Sequence, residues 1–134
     1  MKYEFLEHTA DIKFRTYGES LEEAFANVIG AFSDFVSGGK KVKPVKGKVV
    51  NVFGRDKESL LYNFIDELIY LLDAEKFVVG KGTVFFRGNN LRAELFGDDA
   101  INYKGLENVK AATYAEMEIK QVGKNWIITT VVDV

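Results

Sequence analysis

Residues Phe77 to Phe96 read FVVGKGTVFFRGNNLRAELF, a segment with the pattern of a β-hairpin. Its two runs, 77–87 and 91–96, are rich in Val and Phe, residues that are common in strands. They flank Gly88-Asn89-Asn90, residue types that favour a tight turn. Since a hairpin joins antiparallel strands, this segment predicts an antiparallel sheet.

The hairpin pattern recurs near the C-terminal end of the sequence. The segments Ala111 to Val122 and Trp126 to Val132 flank Gly123-Lys124-Asn125, which predicts a second hairpin. The polar segment between the two hairpins, Asp98 to Asn108, is expected to be a loop.

Two amphipathic helices are predicted upstream of the hairpins. The first begins after Ser20, an N-cap residue, with Glu23 completing a capping box, and it ends at Ser37-Gly38-Gly39. The second begins after Asp56, another N-cap residue. Apolar residues at helical spacing form the predicted buried faces: Leu21, Ala24, Phe25, Val28, Phe32, Phe35 and Val36 in the first helix, and Leu60, Leu61, Phe64, Ile65, Leu68 and Leu72 in the second.

The remaining segments predict further strands. Tyr3 to Tyr17 is extended, and apolar and polar residues alternate in its second half, as expected of a half-buried strand. Val42 to Phe53 is also extended, and Pro44 marks an edge strand or an irregular start. Together the elements predict an α+β fold, with two helices packed on one face of a mostly antiparallel sheet in a two-layer sandwich. No linker or repeat divides the chain, so residues 1–134 are expected to form a single domain.

Composition limits the chemistry that this chain can carry. Hydrophobic residues make up 47% of the 134, enough for a core at this length. The absence of cysteine excludes disulfides, thiolate metal sites and a cysteine nucleophile. The single histidine, His8, excludes multi-histidine metal sites, and no nucleophile motif accompanies it. No apolar run approaches the roughly 18 residues of a membrane span, and the first residues lack a secretory signal, so a cytoplasmic protein without membrane contact is expected.

The net charge of −2 argues against a large nucleic-acid interface, which usually shows a basic excess. No stable direct binding to nucleic acid is therefore expected. A local basic run is nevertheless present, at Lys40, Lys41, Lys43, Lys46 and Lys48. The favoured interpretation is a solvated loop and an edge strand protected by lysines against sheet association, and a nucleic-acid patch is the alternative.

Two acidic residues are set apart from the other carboxylates by their positions. Asp11 follows His8-Thr9-Ala10 directly before a predicted strand, and Asp133 follows the apolar run 127–132. If the first and last strands are neighbours, the two carboxylates converge beside the backbone carbonyl of Val134. A site in which every ligand atom is oxygen would suit Ca²⁺ or Mg²⁺. The plainer interpretation, a turn-forming Asp11 and a solvated Asp133, stays open on these residues alone.

Other polar residues also have ordinary interpretations. His8 is expected to hold local backbone groups, and the functional alternative is that it orients Asp11 or a bound phosphate. Lys110 is expected to be a surface charge. Asp66 and Glu67 are most simply the solvated face of the second helix.

Several segments together resemble the archease family. The opening resembles it in Glu7-His8-Thr9-Ala10-Asp11-Ile12 and in residues 20–25, and the second helix resembles it in residues 60–68. The C-terminal part does so in residues 109–114 and 132–134. These segments run through the whole chain in order, and the patterns HTAD at 8–11 and KAxTY at 110–114 are quite specific.

Archeases are small α+β proteins that act on RtcB-type RNA ligases, which join RNA ends in tRNA splicing and RNA repair. The resemblance implies a protein cofactor, and not an enzyme, that promotes guanylylation of the ligase and repeated turnover. It also implies a divalent-cation site, for Ca²⁺ or for Mg²⁺ or Mn²⁺, with Asp11, Asp133 and the carbonyl of Val134 as ligands. His8 and Lys110 are candidates for supporting those ligands or for contacting the partner.

The chain departs from the family pattern at Ala115, where many relatives have His, and between Leu95 and Val109, where it is short. The role of that His and the partner contacts of that loop are therefore not carried over. Two other functions are considered. One is a chaperone-like binding module for nucleic-acid-modifying enzymes, which works without metal delivery. The other is a small hydrolase with Asp11 and His8 as acid and base, which would need a substrate-binding motif that the sequence lacks.

Overall fold

The computed structural model describes residues 1–134 and contains two α-helices and eight strands. Their bounds, in chain order, are β1 (Tyr3–Leu6), β2 (Ile12–Gly18), α1 (Leu21–Ser37), β3 (Lys46–Phe53), α2 (Lys57–Glu75), β4 (Phe77–Arg87), β5 (Asn90–Asp99), β6 (Ala111–Ala112), β7 (Glu118–Val122) and β8 (Asn125–Asp133). A single 3₁₀ turn, Ala100–Asn102, follows β5. Both predicted hairpins, β4–β5 and β7–β8, are present.

The strands divide between two sheets, and every pairing is antiparallel. The first sheet has the order β1-β2-β8-β6, and β7 also pairs with β8. The second sheet has the order β3-β5-β4. The α+β class is confirmed. The division into two sheets was not anticipated, because hairpin signals specify which consecutive strands pair and say nothing of non-consecutive ones.

The helices form the core together with the inner faces of both sheets. Helix α1 packs against β2 of the first sheet and β4 of the second, whereas α2 packs against β3, β4 and β6. Phe25 of α1 is fully buried, with its ring centroid 6.2 Å from that of Phe64 on α2 and 5.0 Å from that of Phe86 on β4. One continuous cluster of 30 buried residues results, so the two sheets share a core.

The helix starts follow their sequence signals with one difference. Ser20 Oγ accepts a hydrogen bond from the Glu23 N–H at 3.1 Å. The Glu23 carboxylate, however, accepts a hydrogen bond from the N–H of Glu19 and not from the N–H of Ser20, so the capping box is not reciprocal. The reciprocal capping box occurs instead at the second helix, between Asp56 and Ser59. Neither helix combines the length and the apolar character that crossing a membrane requires.

Two of the predicted strands are interrupted by turns. Tyr3 to Tyr17 folds into β1 and β2, which pair with each other, and residues 7–11 form the turn between them. Ala111 to Val122 becomes the short β6 and the separate β7, with residues 113–117 between them. Each turn contains a non-glycine residue with positive φ, Ala10 at +68° and Glu116 at +53°. Such a conformation breaks strand pairing, and alternation of residue types does not reveal it.

Asp98 anchors the predicted loop 98–108, whose first two residues belong to the end of β5. Its buried carboxylate accepts hydrogen bonds from the Asp99 N–H at 2.7 Å, the Asn102 side-chain amide at 3.1 Å and the Tyr103 hydroxyl at 3.0 Å. The Tyr103 hydroxyl accepts in turn from the N–H of Lys43, at 2.8 Å. This network ties the segment after β5 to the segment before β3.

Replacement of Asp98 by Asn is expected to weaken the fold and to flatten its response to acid. Burial acts to raise the pKa of the Asp98 carboxyl, but the three hydrogen bonds and the Lys43 charge outweigh it, and the net pKa is lowered. The stabilisation is therefore complete above the unfolded value of about 3.9 and is lost as pH falls through the folded pKa. Urea unfolding across the acid range measures this, with Asp73→Asn on the exposed side of α2 as control. Equal slopes in both variants would contradict the role of Asp98.

Thr130 of β8 is buried opposite Phe14, and its hydroxyl has no hydrogen-bond partner. Valine has the same shape without the polar atom, so Thr130→Val is expected to raise the free energy of unfolding by about 1 kcal/mol. The neighbouring Thr129 provides a matched control, since its hydroxyl accepts a hydrogen bond from Arg15 at 3.1 Å. Chemical denaturation should show Thr129→Val to be destabilised. A loss of stability in Thr130→Val would contradict the interpretation that the unpaired hydroxyl destabilises the fold.

Candidate functional site

The turn between β1 and β2 contains the segment His8-Thr9-Ala10-Asp11. The Asp11 N–H donates a hydrogen bond to the Thr9 carbonyl at 2.8 Å, and the residue between them, Ala10, has φ +68°. These are features of a γ-turn of the rare, strained kind. Strain of this sort persists only where the surrounding structure holds it. The turn delivers Asp11 to the first position before β2.

The pairing of β2 with β8 brings Asp11 and Asp133 to the same end of the first sheet. Ile12 pairs with Val132 as the last pair of this antiparallel ladder, and Asp11 and Asp133 are the next residues outward on the two segments. The condition set by the sequence, that the first and last strands be neighbours, is met by β2 and β8.

Asp133 is held on its other side by β6. Ala111 pairs with Asp133, and the N–H of Lys110 donates to the Asp133 carbonyl at 2.8 Å. Lys110 is therefore directly beside Asp133, and it is exposed. The next residue, Val134, is half-buried and packs against the core, which fixes the position of its main chain.

The oxygen donors that these residues offer suit a hard cation. None of the six ion pairs in the protein involves Asp11 or Asp133, so no basic side chain occupies either carboxylate. Two carboxylates and the Val134 carbonyl match the preference of Ca²⁺ and Mg²⁺ for oxygen, with water completing the coordination. No group of three or more His, Asp or Glu side chains is placed to hold a metal ion. Beyond the two carboxylates, the remaining ligands of a cation here would have to be main-chain carbonyl and water oxygen atoms.

His8 contacts Glu116, a residue that the sequence did not single out, and not Asp11. The His8 ring nitrogen Nε2 is 2.7 Å from one Glu116 carboxylate oxygen, and Lys13 Nζ donates to the other at 3.0 Å. These hydrogen bonds, first from Lys13 and then from His8, lower the pKa of Glu116. The His8–Lys13–Glu116 cluster ties the turn that carries Asp11 to the segment 113–117. No local sequence feature separates Glu116 from other surface glutamates.

Segment 113–117 is held to its neighbours by two further contacts. The Thr113 hydroxyl donates to the Val131 carbonyl at 2.6 Å. The Tyr114 ring is stacked on Tyr62 of α2, with centroids 4.5 Å apart and planes 12° apart. On the same helix Asp66 is exposed, as predicted, but Glu67 is half-buried. Burial first, and then the charges of Glu75 and Asp66, raise the pKa of Glu67.

The fold and this site define a small α+β domain that presents two carboxylates at one end of an antiparallel sheet and carries no nucleophile motif. The model of the Archease protein family (MTH1598/TM1083) matches residues 3–134, and the chain belongs to this family. Protein archease of Pyrobaculum neutrophilum is 39% identical over 140 residues, covering 98% of this chain and 95% of the relative. Protein archease of Pyrococcus abyssi is also 39% identical, with 99% of each chain covered.

Two solved structures have the same fold. The solution structure of Methanobacterium thermoautotrophicum protein 1598 has a TM-score of 0.79 and 26% identity, with 98% of each chain covered. A crystal structure from Thermotoga maritima, described as an archease and possible chaperone, has a TM-score of 0.67 and 20% identity. It covers 96% of this chain and 94% of its own, and at that identity the likeness concerns the fold.

Replacement of Glu116 by Ala is expected to loosen the turn that carries Asp11, because both His8 and Lys13 lose their partner. Hydrogen exchange of the Asp11 amide should become faster, while exchange in the β2–β8 ladder stays unchanged. Glu118→Ala is the matched control, since Glu118 pairs only with Lys120 on its own strand. Unchanged exchange at Asp11 in the Glu116 variant would show that the cluster does not hold the turn.

Proposed function

We propose that this protein is an accessory factor of an RtcB-type RNA ligase in tRNA splicing and RNA repair. In this role it promotes guanylylation of the ligase and sustains repeated turnover, and it is not itself an enzyme. Membership of the Archease protein family supports a role exerted through a protein partner. The single observation that supports the proposal is the pairing of Ile12 with Val132, the residues next to Asp11 and Asp133 at one end of the first sheet.

The proposed site is a divalent-cation site with Asp11, Asp133 and the Val134 carbonyl as ligands. A bound Ca²⁺, Mg²⁺ or Mn²⁺ would neutralise charge on phosphate groups, which nucleotide transfer to the ligase requires. The role of the protein is to hold these ligands in position. Asp133 is held by its pairing with Ala111 of β6 and by the Lys110 N–H, and the strained turn holds Asp11.

Presentation of this site to a partner follows from its place at the end of the strands. Lys110 is exposed directly beside Asp133, so it is available to a phosphate or to an acidic group of the ligase. His8 acts indirectly, through Glu116, by holding the turn that carries Asp11.

Loss of either carboxylate is expected to remove most of the stimulation of a ligase. Asp11→Ala and Asp133→Ala should each lower the number of ligations per ligase molecule by about tenfold or more, because a single carboxylate holds a divalent cation poorly. Multiple-turnover ligation and ligase guanylylation are the measurements. Asp73→Ala, on the exposed side of α2, is the matched control and should stimulate fully.

Calorimetric titration with Ca²⁺ and Mn²⁺ accompanies the ligation assay and separates the two candidate functions. Undiminished stimulation by both folded Asp variants would refute the role of the carboxylates. If the variants lose cation binding yet stimulate normally, the protein acts as a chaperone-like binding module without metal delivery. The description of the Thermotoga maritima neighbour as a possible chaperone favours this second candidate.

A further inference from the structure

The outer face of the second sheet, far along the chain from Asp11, exposes aromatic rings. Phe53 on β3, Phe85 on β4 and Phe96 on β5 are 63%, 51% and 39% exposed, and Val49 on β3 is 54% exposed. We call this surface, Val49, Phe53, Phe85 and Phe96, the aromatic face. Each strand of the sheet contributes one ring, so the rings are distributed over the face and do not form one apolar cluster.

Basic and amide side chains lie between the rings. The register places four cross-strand rows on this face: Gly47–Phe96–Lys81, Val49–Glu94–Thr83, Asn51–Arg92–Phe85 and Phe53–Asn90–Arg87. Every ring thus has a cation in its own row. Successive rows are about 7 Å apart and neighbouring strands about 5 Å apart. Such a grid of aromatic and basic groups matches the alternation of bases and phosphates along a single strand of RNA.

The Phe96 ring lies against the sheet. Two of its ring atoms are 3.5 and 3.7 Å from the place where a Cβ of Gly47 would be. The missing side chain at Gly47 therefore lets the ring rest over the neighbouring strand. A ring held in this way offers a surface on which a base can stack, and a side chain at position 47 would compete for that space.

A lysine-lined cleft adjoins the aromatic face at Lys81. This cleft has a volume of about 500 Å³ and lies between Lys2, residues 39–42, Pro44, Gly80–Gly82 and one side of α1. Its exposed cations, Lys2, Lys40, Lys41 and Lys81, form what we call the lysine cleft. Its carboxylate, Asp34, accepts a hydrogen bond from the Tyr3 hydroxyl. Lys81 lines the cleft and pairs with Phe96 of the aromatic face, so the two surfaces form one continuous region.

The charge of this region is opposite to that of the whole protein. Six basic side chains line it, Lys2, Lys40, Lys41, Lys81, Arg87 and Arg92, against the two carboxylates of Asp34 and Glu94, while the net charge of the chain is −2. Arg92 pairs with Glu94 at 3.3 Å, and the other cations of the region form no ion pair. Positive charge is thus concentrated where the rings are exposed. A protein partner would find the rings separated by cations, whereas a polyanion with flat bases complements both groups.

We propose that the aromatic face and the lysine cleft together bind single-stranded RNA, with bases stacked on Phe85 and Phe96 and phosphates held by the lysines. This inference goes beyond the proposed ligase role and does not depend on it. The proposed binding is sensitive to salt because it relies on cations that contact phosphates. It is also weak, because two carboxylates lie among the six cations. A weak complex of this kind differs from the stable binding to nucleic acid that the net charge argues against.

Fluorescence anisotropy with a labelled decauridylate at 50 mM KCl tests the proposal with the full chain. The wild-type protein is expected to bind, and Phe85→Ala and Phe96→Ala to weaken binding by about tenfold each through lost stacking. Phe85→Trp, which keeps an aromatic surface, should retain binding. Tyr70→Ala is the matched control, because Tyr70 on α2 is 52% exposed and lies outside the aromatic face.

The salt dependence of the same titration tests the lysine cleft. Lys41→Ala together with Lys81→Ala should reduce the slope of log K against log salt concentration by about 1.4, and Lys124→Ala in the exposed turn before β8 should leave it unchanged. Circular dichroism establishes that each variant is folded.

Three results would overturn the proposal. The first is no binding of decauridylate by the wild-type protein at low salt, and the second is equal affinity in the Phe85, Phe96 and Tyr70 variants. The third comes from sedimentation velocity: a dimer that Phe85→Ala dissociates would assign the aromatic face to a second copy of the chain. None of these results bears on ligase stimulation, so failure here leaves the proposed function untouched.

Discussion

The pairing of β2 with β8 is the constraint on which the first sheet and the candidate site both depend. Strand β1 pairs only with β2, and β6 and β7 pair only with β8, so this ladder joins the first and last parts of the chain into one sheet. The register of this ladder also determines which side chains of β2 face the core. Phe14 and Thr16 point to the core, while Lys13 and Arg15 point away from it. A slip of one residue would expose the core residues and separate Asp11 from Asp133. The register that builds the core therefore also builds the site.

Local signals predicted the elements, whereas their interruptions and the division into sheets required non-local information. The caps at Ser20 and Asp56 and the two hairpin turns act over a few residues, and each appears in the structure. The turn at 7–11 was read as part of a strand because nothing in residue alternation reports that Ala10 adopts φ +68°. The separation of β3, β4 and β5 from the other strands depends on the pairing of β3 with β5, across the whole of α2.

The same distinction applies to the candidate site. Asp11 and Asp133 could be selected from their places beside strand ends, and their juxtaposition needed only the assumption that the first and last strands are neighbours. Glu116 could not be selected, because its importance comes from His8 and Lys13, more than a hundred residues earlier in the chain. Glu67 was read as solvated for a similar reason. Helical periodicity places it on the polar side, but the fold half-buries it and brings the charge of Glu75, two turns further along α2, close enough to raise its pKa.

The basic run in the sequence and the basic surface of the folded protein share only Lys40 and Lys41. Lys46 and Lys48 of the edge strand β3 pair with Asp99 and Glu75, so their charges are already compensated, and together with Pro44 they protect that edge against further strands. The cations that remain available are brought together by the fold, from β4 and from the segments that line the lysine cleft, whereas Arg92 of β5 pairs with Glu94. The second sheet would therefore bind a ligand on its outer face, where rings and cations alternate, and not along its edge. Net charge alone hides this arrangement, because the compensating carboxylates lie elsewhere on the molecule.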